Sequence, residues 1–214
     1  MRIVTNSAVL ALLLASLVLV GCQSTGTDKA AAASSSLEAY NTGLQKGLGD
    51  VDRAVDMLKQ LSDATGQLRP QFETLQAAIA TLDSHAQRLR SMRETMTANK
   101  NAYFAKWNEN NSAIKDPELR KASEGRRTEA MSAFEKLSKD VTDGANLFKP
   151  FMSKLKDIEK YLDVNLNAAG IKAVGEKVKE IAAEAGPVKE KVAAVQADLE
   201  SLIATMKNST PTKA

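Results

Sequence analysis

From Ile171 to Met206 the apolar residues recur at alternating steps of three and four. They are Ile171, Val174, Val178, Ile181, Ala185, Val188, Val192, Val195, Leu199, Leu202 and Met206. That period lays all of them along one stripe of an α-helix, whereas a strand would require a period of two. A stripe sustained over five heptads runs about 50 Å at 1.5 Å per residue, and it must be covered by other helices along that length. Val178, Ile181, Val192 and Val195 are therefore expected to face an interior, and Lys191 to lie on the polar side.

The same period appears upstream in three further stretches. Leu37, Tyr40, Leu44, Leu48, Val51, Val55, Leu58 and Leu61 form the first stripe. Phe72, Leu75, Ile79, Leu82, Ala86, Leu89, Met92, Met96, Tyr103 and Trp107 form the second, weakened at Asn99–Asn101. Leu119, Met131, Phe134, Leu137, Val141, Phe148, Phe151, Leu155, Ile158 and Leu162 form the third. The punctuation agrees: Ser35 and Glu38 have capping-box spacing, and Pro70 suits the first turn of a helix. Asp116-Pro117-Glu118 is a helix start signal, and Asn165-Leu166-Asn167 favours a turn. Ala, Glu, Lys, Leu and Arg make up close to half the chain and aromatics only 4%, a balance that favours long helices. The expectation is an all-α fold: an elongated antiparallel bundle of three or four long helices, coiled-coil-like, spanning residues 37–207 and kinked at Pro150 and Pro187. Residues 208–214 read as a disordered tail.

The amino terminus reads differently. Met1-Arg2 supplies a short positive region, and Ala8 to Val20 an apolar run of about 13 residues, a length suited to a cleaved signal. It is too short to cross roughly 30 Å of hydrocarbon as a helix. Leu19-Val20-Gly21-Cys22 ends the run, and Cys22 is the only cysteine in 214 residues. This segment resembles the signal peptide and lipobox of bacterial lipoproteins. The resemblance implies cleavage between Gly21 and Cys22, a lipid on the Cys22 thiol, and attachment to a membrane through it. Residues 1–21 are then a signal peptide, and the small polar segment 22–36 a flexible tether. Gln23 stands where many inner-membrane lipoproteins carry Asp, which by analogy implies the outer membrane, facing the periplasm.

A second resemblance covers residues 102–206. Phe104-Ala105-Lys106-Trp107, Glu118-Leu119-Arg120 with Ser123, Pro150 after Leu147-Phe148, and Tyr161-Leu162 with Asn165-Leu166-Asn167-Ala168 are similar to a bacterial family known only as a domain of unknown function. Its members look like envelope-associated, often lipidated, coiled-coil-rich proteins. The likeness supports fold and compartment and implies no activity.

Chemistry-bearing residues are sparse. His85 is the only histidine, and beside the second stripe it reads as a structural residue. With Cys22 committed to lipid, neither a metal nor another cofactor is expected. Carboxylates at i,i+4, such as Asp52/Asp56 and Glu180/Glu184, read as solvated helix faces rather than acid–base pairs. The formal charge is +3, and Lys172, Lys177, Lys179, Lys189 and Lys191 alternate with Glu176, Glu180, Glu184 and Glu190. That pattern argues against nucleic acid. No small-molecule substrate is evident, and no catalytic residue is expected. Tyr103 and Trp107, sharing one helix face, and Asn165 and Asn167 are the candidate interaction residues, with packing and turn formation as their simpler roles. The functional expectation is a non-enzymatic envelope lipoprotein that presents a helical scaffold to an envelope protein. The alternatives are a module that binds or shapes a membrane surface, and a structural lipoprotein coupled to the cell wall through Lys213.

Overall fold

A computed structural model describes residues 25–208; the signal segment, Gly21, Cys22 and the tail from residue 209, with Lys213, lie outside the described residues. Four helices account for nearly all of this span: α1 (Gly26–Ser62), α2 (Leu68–Ala113), α3 (Pro117–Val164) and α4 (Ala168–Asn208). They contain 37, 46, 48 and 41 residues, which makes them about 55 to 70 Å long. The connections, residues 63–67, 114–116 and 165–167, are short enough to force antiparallel neighbours. Each helix packs on two others and none packs across the diagonal, so the four close into a ring. Within it the α1–α2 pairing is the most intimate and the α2–α3 pairing the sparsest.

The core follows the four stripes. At the end carrying turns 63–67 and 165–167, Phe72, Leu75, Phe151, Leu155 and Leu162 are fully buried with Leu58, Leu61 and Ile181. At the opposite end Leu37, Phe104, Phe134, Leu137, Leu199 and Leu202 form a second cluster. Of the fourth stripe every position is buried except Val192, which is half-buried. Leu119 departs from expectation: it is 64% exposed. It lies in the first turns of α3, beside the sparse α2–α3 end, where no facing helix covers it.

Helix boundaries correct several expectations. The segment read as tether, 22–36, is helical from Gly26 onward, and Ala30, Ala33 and Ser36 are buried in it. Its start is set by Thr25, whose hydroxyl accepts the Asp28 N–H while the Asp28 carboxylate accepts the Thr25 N–H. That is a full capping box ten residues before the Ser35/Glu38 pair. Small side chains there let α2 come close: Asn99 donates its amide to the Ala32 carbonyl at 3.2 Å. For the same reason α2 continues through Asn99–Asn101, and it begins at Leu68 rather than at Pro70. Helices α3 and α4 run on through Pro150 and Pro187. Asp116 caps α3, its carboxylate accepting the Glu118 and Leu119 N–H groups, with Pro117 in the first turn.

Ion pairs cross the outside of the ring. Lys154 on α3 binds both Glu180 and Glu184 of α4, Lys191 of α4 binds Asp140 and Asp143 of α3, and Lys136 joins Asp140 to Asp198. Lys189 reaches Asp52 of α1. The alternating charges of α4 are thus cross-helix partners as well as a solvated face, and Lys191 is engaged rather than free. Hydrogen bonds from Lys154 and Lys177 hold the Glu180 carboxyl down to about 2, from an ordinary 4.5. Asp140, bonded by Lys191 and Lys136, lies well below the usual carboxylate range.

Two predictions follow from this geometry. Carboxyls depressed in the folded state stabilise it above their ordinary values and lose that contribution as pH falls toward the folded ones. Thermal midpoints should therefore hold from neutrality to about pH 5, then decline between about 4.5 and 2. Lys154→Met, followed by circular dichroism, should shrink that decline; an unchanged acid limb would show that these pairs do not contribute to it. The second concerns glycine at the α3–α4 turn. A Cβ on Gly170 would lie 1.9 Å from the Asn165 carbonyl oxygen, whereas one on Gly175 would meet nothing within 4 Å. Gly170→Ala should cost about 1–3 kcal/mol through overpacking, and Gly175→Ala should gain about 0.5–1 kcal/mol as a helix-interior replacement. Denaturant titration of the two variants compares them directly.

Candidate functional site

The two core clusters part at mid-length. One ends at Val51, Leu82, Phe151 and Val188, and the other begins at Leu44, Met96, Val141 and Val195. Between them small residues line a gap on three helices: Gly47 of α1 and Ala86 of α2, both half-buried, with Gly144 and the exposed Ala145 of α3. Close packing does not require these glycines. A Cβ on Gly47 would touch only Leu89 and one on Gly144 only the Lys191 stem, each at an ordinary 3.6 Å. Beside these small residues lies a cavity of about 140 Å³ to which all four helices contribute. Gly43, one turn away, is different: a Cβ there would lie 2.8 Å from Leu89, so α1 and α2 touch backbone to side chain beside the opening.

The walls are mainly aliphatic, and the polar groups are placed unevenly. His85 is buried and lines the cavity. Its Nδ1 lies 2.7 Å from an Asp50 carboxylate oxygen across the α1–α2 seam. With that nitrogen protonated as donor to Asp50, Nε2 is left as the remaining ring nitrogen, an acceptor in the neutral imidazole. Tyr40 is buried at the wall, and burial raises its phenol above the ordinary value, against a smaller pull from Arg93. Arg90 and Arg93 of α2 and Lys149 of α3 complete the lining. The exposed members of the lining, Arg90, Ala145 and Lys149, all sit on α2 or α3. The cavity therefore opens along the sparse α2–α3 side. No carboxylate lines it.

Such a site can hold a guest; its chemistry is that of binding, with apolar walls and cations at the mouth. Among the described residues no group of three or more His, Cys, Asp or Glu side chains gathers as a metal site would require. No described helix is long and apolar enough to cross a membrane.

The candidates singled out in the sequence lie elsewhere. Tyr103 is buried, and Trp107 is half-buried with its indole N–H donating to Ser123 across the α2–α3 seam at 2.9 Å. Their rings pack with Phe104 and Phe134, and the Arg127 guanidinium stands 5.9 Å over the Phe104 ring. This aromatic group closes the sparse seam near its end. Asn165 ends α3, its amide donating to the Tyr161 carbonyl, and Asn167 begins α4, its carbonyl oxygen accepting the Gly170 N–H. The two asparagines are brought together as a turn and cap, some distance from both the cavity and the aromatic group. Cys22 and Gly21 lie outside the described residues. Sequence reasoning missed the Asp50–His85 pair and the cations of the mouth. Asp50 and His85 are 35 positions apart, and only the register of α1 against α2 joins them.

The pair makes a prediction. Asp50→Ala should leave the buried imidazole N–H without its acceptor and cost about 1–3 kcal/mol. Asp50→Asn, which keeps a carbonyl oxygen there, should cost less. Equal melting temperatures for wild type and Asp50→Ala would show that the contact is not a support of the fold.

No curated protein gives a significant match to this sequence. A family match runs over residues 21–212, takes in all four helices, and so extends to the amino-terminal half the likeness carried by residues 102–206. The chain belongs to the family described as "Protein of unknown function (DUF2959)".

Proposed function

We propose that the chain is a non-enzymatic lipoprotein of the bacterial envelope, anchored through Cys22 at the periplasmic face of the outer membrane, where its helical bundle serves as a scaffold for an envelope-protein partner. The observation that carries this reading is the spacing between anchor and fold. Leu19-Val20-Gly21-Cys22 has the lipobox pattern, and Thr25, three positions after the cysteine, already caps α1. A chain of that length spans roughly 10 Å at most, so the bundle would stand almost directly on the lipid surface. The family match begins at Gly21, which agrees with a domain that starts at the modified cysteine. The ring buries its own stripes, leaving charged and polar helix faces for a partner.

One observation favours a second reading, contact with the membrane surface itself. Gly26 packs beside Asn110 of α2, so the anchored end is also the end that carries the α2–α3 turn. There Leu119 is 64% exposed, with Lys115, Arg120 and Lys121 near it in the chain.

Metabolic labelling with a fatty acid, followed by envelope fractionation, tests both. Wild type should carry label and sediment with the outer membrane, and Cys22→Ala should lose both, since each buried CH₂ supplies roughly 0.8 kcal/mol of anchoring. Label that persists in Cys22→Ala would end the lipoprotein reading. Loss of label with full membrane retention would transfer the case to the surface reading.

A further inference from the structure

The cavity at the waist of the bundle combines two features that define a ligand class. Its interior is aliphatic, with Leu44, Val51, Leu82, Val141, Val188 and Val195 on the walls. Its mouth carries the side chains of Arg90, Arg93 and Lys149, which are not shared between close carboxylates; the Arg90 charge is felt by Asp83 and that of Arg93 by Tyr40, and no carboxylate lines the space. By contrast, Lys136, Lys154 and Lys191 on the other face of the bundle are each shared between two carboxylates. A cationic rim over an apolar pocket matches an apolar body ending in an anion. The size limits the body: a buried apolar cavity of about 150 Å³ accommodates a molecule as large as benzene. The shape limits it further. The α1 residues on the wall run from Tyr40 to Val51, about 16 Å along the axis at 1.5 Å per residue, a slot rather than a sphere.

We propose that this cavity is a binding site for a short-chain anionic amphiphile: an unbranched alkyl group of about six carbons lying between the helices, with its carboxylate at Arg90, Arg93 and Lys149. The site is proposed for a free amphiphile rather than for the lipid anchor. It lies at α2 residues 82–93, about 25–42 Å along the helix from the Asn110 end, and the Cys22→Ala arm of the test below separates it from the anchor.

The probe is radiolabelled hexanoate in equilibrium dialysis against the full-length protein in phosphatidylcholine nanodiscs, with empty discs subtracted. Saturable binding to wild type is expected. Acetate, which has the head without the chain, and hexylamine, which has the chain with the opposite charge, should compete at least about tenfold more weakly. Arg93→Gln combined with Lys149→Gln should weaken hexanoate about tenfold or more, while Arg88→Gln, on α2 but outside the lining, should leave it unchanged. Ala86→Leu should fill the slot and abolish binding. The charge variants keep the test decisive if that bulkier side chain disturbs folding. Absence of saturable hexanoate binding would overturn the proposal, as would equal competition by hexylamine or wild-type affinity in the Arg93→Gln, Lys149→Gln protein. Loss of the lipid label in Cys22→Ala with hexanoate binding intact would leave the site standing and separate it from the anchoring question.

Discussion

Each of the four helices carries one apolar stripe and cannot hide it alone, so the fold rests on the mutual burial of all four stripes around a common axis. Isolated helices gain little in water from propensity; packing of the apolar face supplies most of their stability. Here Phe72 of α2, Leu137 and Phe151 of α3, and Ile181 of α4 are essentially removed from solvent together with Leu37 and Leu58 of α1. The short turns allow only antiparallel neighbours, and the ion pairs then fix register. Lys154 between Glu180 and Glu184, and Lys191 between Asp140 and Asp143, sit roughly two to four turns apart along α4 and α3. A slip of one helix past the other by a single turn would strip each lysine of one of its two carboxylates.

The waist departs from this economy. A bundle selected only for stability would place larger apolar residues where Gly47 and Ala86 stand, because cavities cost stability in proportion to the space left empty. The small residues come from three helices and converge at one level, near the cations of the mouth and beside a buried imidazole held by Asp50. Loss of packing confined to one level, with polar groups arranged around it, is the usual signature of a site rather than of imperfect packing.

Much of the fold was legible because it is written in local periods. The stripe of α4, Asp116-Pro117 at the start of α3, and the Asn165–Asn167 turn all stand where their spacing puts them. The misreadings have physical causes. Residues 26–36 looked like a tether because their core-facing positions are Ala30, Ala33 and Ser36, too small to register as apolar periodicity yet buried by the close approach of α2. Asn99–Asn101 looked like a gap because one turn of polar residues weakens a stripe without ending a helix whose neighbours continue. Leu119 fits the period but has no opposing helix. The cavity left no trace in the sequence: it is made by what is absent from several helices at once. The residues at its mouth look like any exposed Arg or Lys until the register of the ring sets them side by side.

The ring also has an uneven relation to chain order. Helices α1 and α2 form one hairpin and α3 and α4 another, each closed by a short turn, whereas the seam between α1 and α4 joins the first helix to the last. Contacts within a hairpin require little loop closure, while the α1–α4 seam must bring together residues such as Asp52 and Lys189, 137 positions apart. Assembly therefore reduces to two locally built hairpins and one long-range docking event. With α2–α3 packing so sparse, that docking rests chiefly on the α1–α4 seam, which makes the outermost helices in sequence the hinge on which the finished structure closes.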